Sequence, residues 1–287
     1  MPRMLLAEIE LWKALVLGAV QGVAELLPIS SSAHLVLVPW LFGWPNPGLT
    51  FDVALHLGTL AAVLIYFRHD LWGMLTALLR GIATRRPLAE PNSRLALYVI
   101  VASLPGAFFG ALLDSRIEER FHVENASSGA LLAIAAALIV MGLLLAVAER
   151  VALHRRALAD LGWRDALVVG VAQAFALLPG VSRSGTTITT GLFLGMRRET
   201  AARFSFLLSA PITGGAALKK SYDLIKGGGL ADDERLPFLV GILTAGLVGY
   251  ACIAWLLRYL QRATTIVFTV YRVLLGVLVL VLVLVRG

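Results

Sequence analysis

Apolar residues run from Ala14 to Ala24, interrupted only by Gln21, and stop at Glu25 and Pro28; a second short run, Leu35 to Phe42, follows. At about 1.5 Å per residue, each run covers roughly half a bilayer. Two half-length apolar pieces joined by a polar break predict a segment that enters the membrane, turns and leaves on the same side. Such irregular backbone is tolerated at depth only where protein or a wet cavity covers it. One kinked span from Ala14 to Trp40 is the alternative that periodicity leaves open. Longer runs at Val53–Phe67, Leu95–Leu113 and Ala130–Ala148 predict three spanning helices, the second kinked at Pro105-Gly106. Polar loops are expected around Arg80, Arg85, Arg86, Pro87, Pro91 and Arg94, and from Asp114 to Asn125; a basic loop with Arg150, Arg155, Arg156 and Arg164 follows the third span.

The pattern then returns. At an offset of 152, Ala14 falls on Ala166, Gly18 on Gly170, Gln21 on Gln173, Ser30 on Ser182, Ser32 on Ser184 and Gly43 on Gly195. One further residue of offset places Phe51 on Phe204 and predicts a fourth span over Phe204–Leu218; Leu236–Leu257 and Thr265–Val285 complete six. The expected fold is therefore all-α and integral to the membrane, one domain over residues 1–287, with repeats over about 8–148 and 160–287. Six transmembrane helices and two re-entrant helix-loop-helix segments, the second around Gly180–Thr187, make it up. Three spans separate equivalent points, so the second repeat is expected inverted, the arrangement that builds midplane sites from broken helices. Arginine distribution agrees: Arg80, Arg85, Arg86, Arg155, Arg156, Arg197 and Arg198 gather on one face, which positive-inside placement makes cytoplasmic, with both termini opposite.

Composition narrows the class. Of 287 residues, 59% are hydrophobic and 15% charged, and the mean hydropathy is +0.83, too apolar for a soluble domain of this length. The formal charge of +7 sits in short groups beside apolar runs, so it speaks for membrane orientation and against nucleic acid as a partner. Cys252 is the only cysteine, which excludes an intrachain disulfide and a thiol metal site. Glu8 and Glu10 precede the first long apolar run, so no signal peptide is expected.

Chemistry concentrates in the two breaks. Glu25 shares a helical face with Gln21, four residues earlier. A carboxylate at membrane depth needs a cation, a metal or a proton-exchanging partner, unless water reaches it near the interface. Ser30, Ser31 and Ser32 can cap a helix N-terminus or bind phosphate there, and a serine becomes a nucleophile beside a base, for which Glu25 and His34 are at hand. In the second break, Ser182, Arg183, Ser184, Gly185 and Thr187 offer hydroxyls, amides and a guanidinium whose planar fork suits phosphate oxygens. With no acid nearby in sequence, Arg183 requires an anion from elsewhere, either Glu25 or a ligand phosphate. Gly180–Thr187 nearly spells a P-loop, but Thr186 stands where lysine belongs and no strand precedes it. Asp52 is read as a supporting group, Arg272 as a packing or headgroup residue, and His56 and Gln173 as packing residues with satisfied hydrogen bonds.

At these residues the sequence resembles the undecaprenyl-diphosphate phosphatase family, bacterial enzymes also known for bacitracin resistance. QGVAELLPISSSAH looks like the family's first motif and LLPGVSRSGTTIT like its second, and the likeness follows segment order along essentially the whole chain. The resemblance implies hydrolysis of a C55 polyprenyl diphosphate lipid to the monophosphate and phosphate, recycling the carrier for cell-wall glycans. It also implies a bacterial inner-membrane location, a site facing the periplasm, a divalent Mg2+ or Ca2+ requirement and a homodimer. Carried over, Ser31 attacks the terminal phosphorus or positions water, Glu25 is base or metal ligand, and His34 is the acid/base partner. Arg183 clamps the diphosphate, with the remaining hydroxyls donating to its oxygens. Many members carry glutamate where this chain has Gln21, which can ligate a metal through its carbonyl but cannot act as a base. A carrier of polyprenyl phosphate or another anion, and a phosphatase for shorter lipids, are the competing readings.

Overall fold

The computed structural model describes residues 10–121, 127–226 and 229–286. Those residues form helices and no strand. In chain order they are α1 Leu11–Ala24, α2 Ser31–Phe42, α3 Leu49–Tyr66, α4 Arg68–Ala83, α5 Pro91–Phe121, α6 Ser128–Val151, α7 Trp163–Ala174, α8 Arg183–Phe193, α9 Arg198–Lys226, α10 Asp232–Leu260 and α11 Ile266–Arg286. Among them α3, α5 (over Pro91–Leu112), α6, α10 and α11 are long and apolar enough to cross a bilayer. The molecule is an integral, multi-pass membrane protein. The helix α9 covers the expected fourth span, but Arg203, Ser205, Ser209 and Thr213 dilute its apolar content.

Element boundaries differ from the sequence reading where hydropathy ends before the helix does. The expected loop from Asp114 is helical through Phe121, since Asp114–Arg120 lies within α5 and its two glutamates and two arginines are good helix formers; residues 122–125 of that loop lie outside the described residues. The expected polar loop after the first span contains α4, because Leu71, Met74, Leu78 and Ala77 recur at helical spacing between its charges.

Small residues set the helix spacing. On α1, a Cβ at Gly18 would stand 2.6 Å from the Gly241 carbonyl oxygen, and one at Gly22 would stand 2.8 Å from that of Ala245. With Gly249 these positions form a four-residue stripe on each helix, and the backbones of α1 and α10 meet along it, as membrane helices do where hydrophobic burial gives no drive to associate. The same device joins α7 to α5 at Gly170 and Ala102. Further seams pair α6 with α11, α3 with α10 and α3 with α9. The short helices α1, α2, α7 and α8 are thereby held against long ones, and the two polar breaks, residues 25–30 and 175–182, face each other between them.

Candidate active site

Each break turns on a serine in a conformation L residues avoid. Ser30 has φ 79° and ψ 95°, and Ser182, its equivalent at the offset of 152, has φ 75° and ψ 119°. Each caps the helix that follows: Ser30 Oγ accepts from the Ala33 amide at 3.4 Å and Ser182 Oγ from the Gly185 amide at 3.0 Å. Each also pairs with the serine two residues on, at 3.2 Å to Ser32 and 3.3 Å to Ser184. Non-glycine residues held at such angles cost on the order of 1–3 kcal/mol each and persist only where their surroundings enforce them.

That enforcement comes from Arg272 on α11. Its guanidinium is 1% exposed and donates to the carbonyls of Pro28 at 3.0 Å, Gly180 at 2.7 Å, Val181 at 3.2 Å and Leu138 at 3.3 Å. One side chain thus ties both breaks to α6. Gly185 is required beside it, since a Cβ there would lie 2.8 Å from Arg272 Nη1. Ser184 Oγ adds a direct bond between the breaks by donating to the Leu27 carbonyl at 2.9 Å.

Glu25 stands at the centre, in the turn that ends α1. Its Oε1 accepts from Arg183 Nη2 at 2.7 Å, and its Oε2 accepts from Ser31 Oγ at 2.5 Å and from Gln21 Nε2 at 3.4 Å. The pair with Arg183 is largely buried, and Arg183 Nη1 is steadied by the Ser205 carbonyl at 3.2 Å. His56 Nε2 lies 3.4 Å from Glu25 Oε2. Because His56 Nδ1 donates to the Asp52 carbonyl at 2.8 Å, the nitrogen facing Glu25 carries a proton only in the imidazolium form. Glu25, Ser31, Ser32, His56, Ser182 and Arg183 line one cavity of about 230 Å3, together with Ile212, Thr213, Ala216 and Ala217 of α9.

The other residues singled out in the sequence sit behind this wall. The side chains of Ser30 and Ser184 serve the loop contacts given above, and Thr187 Oγ1 hydrogen-bonds Ser205 Oγ at 2.7 Å. His34 is held away from Ser31: its Nδ1 donates to the Ser30 carbonyl at 2.6 Å, which leaves Nε2 to accept from the Tyr271 hydroxyl at 2.7 Å. His56 and Arg272 correct the sequence reading, one lying in the site and the other forming its frame. A titratable group inside an apolar span is itself the signal that could have found His56. Gln173 is also corrected, since its buried Oε1 has no partner.

Gln21 Oε1 is likewise buried and without a hydrogen-bond partner, next to Glu25. No cluster of three His, Cys, Asp or Glu side chains able to hold a metal occurs among the described residues. The protein therefore offers a hard cation two neighbouring oxygen-bearing side chains, a set that fits Mg2+ or Ca2+ only where phosphate oxygens and water complete the shell.

The cluster unites what phosphoryl chemistry needs: a hydroxyl already bonded to a carboxylate, and a guanidinium at the same cavity. Comparison with known proteins points the same way. Residues 14–278 match the model of the family described as bacitracin resistance protein BacA. The chain is 50% identical over 272 residues to the undecaprenyl-diphosphatase of Thermomicrobium roseum, covering 95% of this chain and 98% of that one. It is 51% identical over 267 residues to that of Moorella thermoacetica, covering 93% and 95%, and 48% identical over 272 residues to that of Myxococcus xanthus, covering 95% and 89%. The chain belongs to the BacA family of bacitracin resistance proteins.

Proposed function

We propose that the protein is an undecaprenyl-diphosphate phosphatase, hydrolysing the lipid diphosphate to undecaprenyl phosphate and inorganic phosphate. The bond from Ser31 Oγ to Glu25 Oε2 at 2.5 Å carries this reading, because a hydroxyl bonded to a carboxylate at one cavity with Arg183 supports a nucleophile and its base. Ser31 Oγ attacks the terminal phosphorus while its proton passes to Glu25, and the bond to the bridging oxygen breaks. Undecaprenyl phosphate leaves with that proton; Glu25 then deprotonates the water that cleaves the phosphoserine and returns the proton to the departing Ser31 Oγ as phosphate is freed. Arg183 releases Glu25 Oε1 to grip phosphate oxygens, and Ser32 and Ser182 donate to them. His56 sets the charge beside Glu25, and His34 fixes the strained Ser30 turn. Gln21 and Glu25 would hold a divalent cation, which neutralises phosphate charge when bound.

Around this site we place an inverted repeat with six spans, α9 joining the five apolar ones as the fourth in chain order, and two re-entrant pairs, α1–α2 and α7–α8. The matched angles and caps of Ser30 and Ser182 support it, as does the pairing of α1 with α10 and of α7 with α5, which exchange under the repeat. Arginine placement supports a cavity opening toward the periplasm of a bacterial inner membrane, and a homodimer belongs to the same reading.

Phosphate release from a polyprenyl diphosphate by the purified protein, with and without Mg2+ or Ca2+, tests the proposal. Wild type turns over, while Ser31→Ala binds the lipid and releases at least about a hundredfold less phosphate, the loss expected of an essential nucleophile. Retained activity in Ser31→Ala removes the nucleophile assignment. Lipid binding without hydrolysis under every metal condition replaces the enzyme with a carrier.

A further inference from the structure

The helix α4 is not needed by the site, and its outer face has no protein partner among the described residues. Trp72, Leu75, Leu79 and Ile82 recur at spacings of three, four and three, one stripe of a helix, and are 67%, 47%, 57% and 59% exposed. The opposite stripe, Met74, Ala77 and Gly81, is buried against α5. Sixteen residues make a rod of about 24 Å, short of a span.

Its direction follows from two glycines. A Cβ at Gly73 would lie 3.3 Å from Asn92 Nδ2, and one at Gly81 would lie 3.0 Å from Ser93 Oγ. Two consecutive residues of α5 therefore reach points eight residues, or about 12 Å, apart on α4, so the helices cross steeply. Because α5 traverses the bilayer from Pro91, α4 lies near the membrane plane at the level where α3 ends and α5 begins.

The surroundings are basic. Arg68, His69, Arg80, Arg85 and Arg86 are exposed; Asp70 is engaged by Arg203 of α9 at 2.5 Å, and Glu90 stands 3.9 Å from Arg80. An apolar stripe with a tryptophan, rimmed by arginines and lying in plane, matches the boundary between acyl chains and acidic headgroups.

We propose that α4 is an in-plane anchor that docks on the acidic phospholipid of its leaflet, the stripe entering the acyl boundary while Arg80 and Arg86 hold headgroup phosphates. Leu79→Cys in a Cys252→Ser background, carrying an environment-sensitive label in nanodiscs of phosphatidylcholine with phosphatidylglycerol, reports the depth. Quenching is expected to be strongest from lipids brominated near the headgroup end of the acyl chain. Native mass spectrometry of full-length protein taken from the same mixture reports the lipid. Arg80→Gln/Arg86→Gln should lower phosphatidylglycerol enrichment at least fivefold, against roughly fivefold for each basic side chain at a charged leaflet, and Arg80→Lys/Arg86→Lys should retain it. A water-exposed label, unchanged enrichment in the glutamine variant, or shielding of the label only within a cross-linked dimer each overturns the anchor.

Discussion

Removing Arg183 while leaving Glu25 in place should cost far more than removing both. At 2.7 Å and an effective dielectric near 20, the pair attracts by about 6 kcal/mol, which the cost of taking two ions out of water largely cancels. Arg183→Met strands a buried carboxylate whose remaining close neighbour able to carry a positive charge is His56 at 3.4 Å, and its expected destabilisation is about 3–5 kcal/mol. Glu25→Gln strands the guanidinium instead, with the Ser205 carbonyl as an acceptor, and should cost somewhat less. The double variant should be at least about 2 kcal/mol more stable than Arg183→Met alone, since neutral, similarly shaped side chains carry little desolvation penalty. Denaturant titration in a mild detergent, followed by tryptophan fluorescence, gives the four stabilities, and phosphate release should stay abolished in all three variants. Additive losses, with coupling below about 0.5 kcal/mol, would refute the claim that this ion pair joins the two breaks.

Three further outcomes follow from the same geometry. Gln21→Glu places a carboxylate where an unpartnered amide oxygen stands, so the metal concentration for half-maximal phosphate release should fall by about tenfold, and chelation should abolish activity in both forms, read from metal titrations. Arg272→Met should unfold or inactivate the protein by stranding the three loop carbonyls at about 1–3 kcal/mol each, whereas Arg272→Lys should keep part of the stability and lose most of kcat; equal thermal transitions for the two would contradict a forked clamp. On the face bearing the loops, partial burial pushes the Asp165 carboxyl up, but Arg156 at 3.0 and 2.5 Å and the Gly162 amide outweigh it and hold it below the usual range. The folded form thus binds this proton less readily, so the contribution is present above about pH 4 and fades as pH falls through the lowered value; the Tm gap between wild type and Asp165→Asn should close on acidification.

Much of this was legible in the residues, because a membrane makes polar groups conspicuous. Glu25 and Arg183 stood out as charges in apolar segments, and their meeting needed only the repeat that aligns Ser30 with Ser182. The positions of α4 and of the end of α5 were not legible: hydropathy reports where hydrocarbon ends, while amphipathic and charged residues extend helices beyond it. His56 and Arg272 were underestimated for a different reason. Their partners are the Glu25 carboxylate and backbone carbonyls of distant loops, and no spacing along the chain encodes contacts across 31 or 244 residues. Nor could sequence separate Ser31, which faces the cavity, from Ser30, whose hydroxyl caps a helix.

Glu25 occupies Arg183 before any ligand arrives, so the guanidinium is never a vacant anion trap. Incoming diphosphate has to outcompete a resident carboxylate, and it brings the charge to do so. Orthophosphate, once cut from its lipid, has lost the tail that held it there, and the returning carboxylate can expel it. In the proposed mechanism the carboxylate that takes the serine proton would then also clear the cavity of product.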